Sequence, residues 1–263
     1  MSKYELVYHA GIPGRAEFIR LYLEATGTPY EYKALTVGQD CIKPYLSGKF
    51  EGSDKNPTPF AVPVLKDGDV VISQTPNILL YLSTRISAPL DLEGDDKDEE
   101  RATKKAKSSP ASFDNPDTFH ANALTLTILD LNNEVHDTHH PISVMSYYED
   151  QKDAAKQKAD DVRKSRLPKF LANFEKNLDK SSSGFLLPSG PTYADLALFQ
   201  LVDGLKFAFP ARMKKLLSRY PKVESLYERI LKAPRIKAYL ESDRRQKYSM
   251  GVFRYYEELD GEE

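Results

Sequence analysis

A single cysteine, Cys41, stands in 263 residues. One thiol leaves no intrachain disulfide open and fits a reducing compartment, so a cytoplasmic setting is expected. An excess of one charge is also missing. The 37 Lys and Arg against 39 Asp and Glu give a net charge of −2, which argues against a broad nucleic-acid surface. No apolar run approaches the roughly 20 residues of a membrane span. The opening M-S-K-Y-E-L-V-Y has no apolar signal-peptide core. Internal repeats are absent. What remains is 40% hydrophobic and 29% charged, a globular composition long enough for one large domain or two ordinary ones.

The most informative stretch is P-F-A-V-P-V-L-K-D-G-D-V-V-I-S-Q-T-P-N-I-L-L-Y-L, residues 59–82. Val62, Val64 and Leu65 open a β-rich run, Asp67-Gly68 is a hairpin signal, and Val70, Val71 and Ile72 return. A helix follows: Thr75 can cap it, Pro76 suits its first position, and Ile78, Leu79 and Leu82 give it an apolar face. Two features here carry chemistry. Pro63 at a strand start reads most simply as a trans proline on an edge; a cis bond would let Val62 offer its backbone to an extended peptide. Gln74-Thr75 reads as an ordinary helix start, or as an anion site where free N–H groups and the helix dipole meet a carboxylate.

Elsewhere, Lys3 to His9 alternates as a strand with Tyr4, Leu6 and Tyr8 on one face. Arg15 to Ala25 predicts an amphipathic helix with Phe18, Ile19, Tyr22 and Leu23 inward. Tyr30 to Leu35 reads as a second strand, and Cys41 falls in the loop after it. Residues 87–117 break the composition with an acidic run, a basic run and S-S-P-A-S, and read as a linker. From Phe119 the pattern is helical. A break is expected near Pro168, and Thr192-Tyr-Ala-Asp195 forms a capping box before a nearly all-apolar helix.

Taken in order, Y-E-L-V-Y, G-R-A-E, V-P, Q-T and T-Y-A-D resemble the cytosolic glutathione transferases, most closely the classes that use an N-terminal tyrosine. The resemblance implies an α/β plus all-α chain: an N-terminal thioredoxin-like βαβ-ββα domain over 1–86, a linker over 87–117 and an all-helical domain with a C-terminal tail over 118–263. It implies an enzyme that activates the glutathione thiolate for attack on small hydrophobic electrophiles, a detoxification chemistry with glutathione as co-substrate. A catalytically silent binding or regulatory protein on the same fold is the alternative. A cysteine-using oxidoreductase would need its cysteine at the first helix N-terminus, where Cys41 does not fall.

Carried over residue by residue, Tyr8 is the catalytic tyrosine and Arg15 the arginine that approaches glutathione. Val62 and Pro63 are the backbone-pairing pair, and Gln74 and Thr75 hold the γ-glutamyl group. Lys55, with Lys49 as competitor, meets the glycyl carboxylate. The family habit is a homodimer, in which Asp130 reaches the partner's glutathione. Two departures stand out: the Tyr8–Arg15 loop is one residue longer than usual, and no tryptophan is present for the indole many members use at the glycyl end.

The segment H-D-T-H-H, residues 136–140, places His136, His139 and His140 on one helix face by i, i+3 and i, i+4 spacing. They read as helix-end imidazoles against the dipole, as metal ligands, or as part of the electrophile pocket. Asp137 is displaced by about 100° and no motif supplies a distant ligand, so no metal is expected. Ten residues on from Asp130, His140 falls where pi-class members place a tyrosine facing the second substrate. His136 and His140 are therefore expected in the electrophile pocket.

Overall fold

A computed structural model of the chain describes residues 4–46, 49–92 and 110–261. They form two compact units. One comprises Met1–Thr118 with Lys232–Lys247, the other Phe119–Leu231 with Tyr248–Glu263.

The first unit is the thioredoxin-like one. β1 (Tyr4–Val7) leads through a single 3₁₀ turn, Gly14–Ala16, to α1 (Glu17–Thr26) and β2 (Tyr30–Tyr32). β3 (Val64–Asp67) and β4 (Val70–Ser73) form the Asp67-Gly68 hairpin, and α3 (Thr75–Ser83) follows. The sheet order is β2-β1-β3-β4, with β1 and β2 parallel and the other pairs antiparallel. The parallel pair is the consequence of a strand–helix–strand crossover, and the tight turn fixes the antiparallel edge.

Three local expectations change. The second strand stops at Tyr32, and Lys33–Thr36 closes instead into a short helix, α2. α1 begins two residues late, because Arg15 belongs to the 3₁₀ turn. It is also not amphipathic in the usual sense: Glu17 and Arg20 are as fully buried as Phe18 and Ile19. Most of the expected linker, 93–109, lies outside the described residues. The first helix after it, α4, begins already at Pro116 and runs to His136.

The second unit is helical. α5 (Lys152–Asp161) and α6 (Leu167–Lys180) are joined without a break by a π-helical turn, Val162–Arg166. Pro168, lacking an N–H, sits in the first turn of α6 where none is needed, and the wider turn before it absorbs the mismatch. Leu167, Leu171 and Phe174 of α6 are fully buried. α7 (Tyr193–Ala208) opens on the capping box, with Ala194 N–H donating to Thr192 Oγ1 and Thr192 N–H to Asp195 Oδ2. Its buried face includes Leu196, Leu198, Phe199, Leu201 and Val202. The aromatic tail is sealed against it: a Cβ at Gly204 would stand 2.4 Å from the Phe253 ring. α8 (Pro210–Leu217) and α9 (Pro221–Lys232) follow, and α10 (Pro234–Leu240) belongs to the first unit.

Candidate active site

Sheet register gathers one end of the first unit. Val7 stands opposite Val64, and Val64 opposite Ser73. One residue beyond that row lie Tyr8, Pro63 and Gln74, so three segments distant in sequence meet where β1 and β4 end and β3 begins. The Val62–Pro63 bond is cis. Gln74 has φ +69°, the only non-glycine residue with positive φ among the described residues. A side chain held there costs energy that the surroundings must supply, a condition that clusters at functional sites.

Hydrogen bonds tie the group together. The Arg15 N–H donates to the Tyr8 phenol oxygen over 3.1 Å, and Thr75 Oγ1 donates to the Arg15 carbonyl over 3.2 Å. Arg15's peptide unit thus bridges the catalytic candidate and the start of α3. Gly14 makes the approach possible: a Cβ there would lie 2.3 Å from the Tyr8 ring, at a φ of +50° that side chains avoid. Because the phenol oxygen accepts from a backbone N–H, its own O–H remains to be donated outward. The longer Tyr8–Arg15 loop is pinned at several points. Tyr32 Oη donates to the His9 carbonyl over 2.6 Å, Ala10 N–H to Gln39 Oε1 over 2.8 Å, and Gly11 N–H to Gln246 Oε1 over 3.1 Å. Nothing in local spacing singles out Gln39 or Gln246, which act across 29 and 235 residues.

Lys55 is not brought to this end. Its Nζ lies 3.7 Å from Asp69 Oδ2 at the β3–β4 turn, about 10 Å of strand away. Asn56 fixes it there, donating to the Asp69 carbonyl over 2.7 Å and accepting from Val71 N–H over 2.8 Å. Lys49 is exposed. Cys41 Sγ approaches the Tyr8 carbonyl at 3.5 Å, and burial pushes its thiol up, the reverse of an activated thiolate. A cavity of about 570 Å³ in the same unit is bordered by Leu23, Tyr30, Leu35 and Arg244, and by none of the grouped residues.

Asp130, His136 and His140 belong to the second unit. Asp130 is exposed on α4. α4 ends at His136, and turns carry the chain on, with Thr138 N–H donating to the Val135 carbonyl and His139 N–H to that of His136. These turns stack the His136 and His140 rings, 5.1 Å between centroids, with His139 edge-on to both. His139 is buried, and burial, with the charge of Arg254 and the neighbouring imidazoles, pushes it down to about 2; His140 is lowered by burial and Arg254.

Comparison with known proteins decides the family. Residues 6–84 match Glutathione S-transferase, N-terminal domain, and residues 136–243 match Glutathione S-transferase, C-terminal domain. This chain belongs to the glutathione S-transferase family. A glutathione S-transferase of Plasmodium falciparum is 25% identical over 250 residues, 92% of this chain and 98% of its own. Glutathione S-transferase P 1 of Xenopus laevis is 28% identical over 249 residues, 94% of this chain and 96% of its own. The pi-class glutathione S-transferase structure of Onchocerca volvulus superposes with a TM-score of 0.61 at 24% identity, covering 91% of this chain and 92% of that one, and so shares the fold.

In this transferase the start of α1 rests on a buried ionic cluster that sequence reading does not mark. Glu17 is paired with Arg20 and Arg245, and Tyr239 Oη donates to it over 2.8 Å. Arg20 Nη2 also donates to the Pro13 carbonyl over 2.7 Å, and its guanidinium lies 4.6 Å from the Tyr32 ring centre. Burial alone would raise the Glu17 carboxyl. The charges of Arg20 and Arg245 and the bonds from Arg20 and Tyr239 outweigh it and hold Glu17 below the ordinary range. The cluster grips Pro13, in the loop that carries Arg15 to Tyr8.

Proposed function

We propose that this transferase binds glutathione at the sheet end and uses Tyr8 to hold its sulfur as the thiolate for attack on small hydrophobic electrophiles. The observation that carries the reading is the hydrogen-bonded line Tyr8–Arg15–Thr75, which leaves one phenol O–H undirected within the group. A free thiol near pKa 8.5 is only a few per cent thiolate at neutral pH, and a phenol hydrogen bond to sulfur favours the charged form. Tyrosine suits the task because it stays protonated at that pH. The N-terminus of α3 at Thr75 is the natural receptor for the γ-glutamyl carboxylate, with Gln74 beside it. Val62, ahead of Pro63, offers its backbone to the cysteinyl unit, and Arg15 completes the glutathione side.

Residues 1–86 would then carry the glutathione half and residues 118–263 the electrophile half, with His136 and His140 on the electrophile side. A cytoplasmic homodimer completes the proposal. Phe119 and Leu126, 52% and 45% exposed, share one face of α4 with Asp130, at spacings of seven and eleven residues. Light scattering at working concentration should give twice the chain mass, and a monomer would remove Asp130 from the site.

The decisive variant is Tyr8→Phe. Glutathione affinity should change by no more than a few fold, because only one hydroxyl is lost. The thiolate absorbance of bound glutathione should fall at neutral pH, and turnover should drop about 10- to 100-fold, the worth of one charge-assisted hydrogen bond. Unchanged absorbance and turnover would pass the role to another donor.

A further inference from the structure

From His136, His139 and His140 we infer a binding site for one divalent first-row metal ion of the zinc–copper–nickel group, held by three imidazoles with one position left open. One ring nitrogen from each residue lies within 4.8 Å of the others. A tetrahedral zinc site wants nitrogens about 3.3 Å apart, so each ring has to close by under about 1 Å. His136 and His140 are partly exposed and can make that adjustment, whereas His139 is buried and fixed.

The outer contacts of the rings support ligation. His139 Nε2 meets the Gly251 carbonyl at 3.1 Å, which can only accept, so this nitrogen carries the proton and Nδ1 keeps its lone pair. His136 Nδ1 meets Asp137 Oδ1 at 3.3 Å, which in the same way directs the lone pair to Nε2. Orientation of a ligating imidazole by a carbonyl or carboxylate on its other nitrogen is the usual outer shell of a metal site. His140 Nδ1 is buried with no hydrogen-bond partner, a polar atom that an ion would satisfy. The nearest opposing charge is Arg254, whose Nε donates to the same Gly251 carbonyl over 3.2 Å; the Asp137 carboxylate offsets it. Three neutral nitrogens suit zinc, copper or nickel rather than calcium or magnesium. The sequence expectation of no metal rested on the lack of a distant partner. The structure supplies one in Gly251, 112 residues along the chain from His139.

The inference is independent of the electrophile-side reading of His136 and His140, because its test reads binding and not turnover. Full-length protein without a histidine tag is stripped with chelator, freed of glutathione, and titrated with Zn²⁺ by calorimetry. A parallel sample receives one equivalent of Cu²⁺ for electron paramagnetic resonance. One Zn²⁺ per chain with micromolar or tighter affinity is expected, together with copper hyperfine structure from several nitrogens. His136→Gln, at a partly exposed position that the fold does not need, should weaken Zn²⁺ at least tenfold, and so should His140→Gln. His9→Gln should leave it unchanged. Saturating Zn²⁺ should raise the melting temperature of the parent and of His9→Gln, but not of the His136→Gln/His140→Gln double variant. Absence of stoichiometric binding overturns the proposal. Full affinity in the double variant does the same, as does a copper signal dominated by sulfur, which would point to Cys41.

Discussion

Two fully buried carboxylates, Glu17 at the start of α1 and Asp195 at the start of α7, are treated by their surroundings in opposite ways. Glu17 is met by two guanidinium groups and a phenol, and is held low. Asp195 is met by no charge. It accepts from Leu186 N–H over 2.7 Å and from Thr192 N–H over 2.8 Å, and burial pushes it up to about 6 against those bonds. Dipoles satisfy the geometry of a buried carboxylate, and only opposite charge offsets the loss of water around it. The difference also divides labour. Asp195 ties residues nine positions apart, whereas Glu17 ties α1 to Tyr239, 222 residues on.

The largest effect that tests this contrast is expected from Glu17→Ala. It leaves Arg20 buried beside Arg245 with no anion, and should cost about 3–5 kcal/mol in chemical unfolding. Glutathione affinity should fall with it, because Arg20 positions Pro13 and hence the Arg15 peptide. Asp195→Ala comes next, at about 2–3 kcal/mol, since it strands two backbone donors without stranding a charge. Its glutathione affinity should stay near the parent's. If Asp195→Ala proved the more damaging, the argument from charge would fail.

The smallest effect concerns pH. Asp195 binds its proton more tightly folded than unfolded, so its contribution to stability rises as pH falls from 7 to 5, by about 1 kcal/mol relative to Asp195→Asn. Glu17 runs the other way. Its carboxylate is favoured in the fold, so its contribution is fully present above the ordinary value of 4.5 and is lost only as pH falls below it. Unfolding curves of the parent and Asp195→Asn at pH 7 and pH 5 check the sign. Parallel pH dependence would mean that Asp195 is already ionised throughout.

Much of this molecule is legible in its sequence, for definite reasons. The parallel and antiparallel pairings follow from a strand–helix–strand spacing and an Asp-Gly turn. The same residues that the motifs group, Tyr8, Arg15 and Thr75, stand in one hydrogen-bonded line, because strand register carries them to one sheet end. Lys55 was harder to place, since residues 49–63 have no period and their course is set by Asn56 reaching the hairpin. Glu17 and Arg20 pass for surface charges, because a helix pattern assigns charge outward by default and the partners that reverse this lie far along the chain. The histidine turn is half legible: local spacing brings the rings together, and only the fold reveals Gly251 behind them.

The docking of residues 232–247 on the first unit has a consequence for how the protein is made. The sheet and α1 leave the ribosome early, yet Glu17 has no tyrosine or second arginine until Tyr239 and Arg245 have been synthesised. At translation rates of about 5–20 residues per second, the 222 residues between Glu17 and Tyr239 impose a wait of roughly 10–45 s. During that interval the nascent unit carries an ionic pair whose last partners do not exist. The part of the chain born first is thus among the last to be finished, and a message cut short anywhere before residue 239 would yield a glutathione half that never closes.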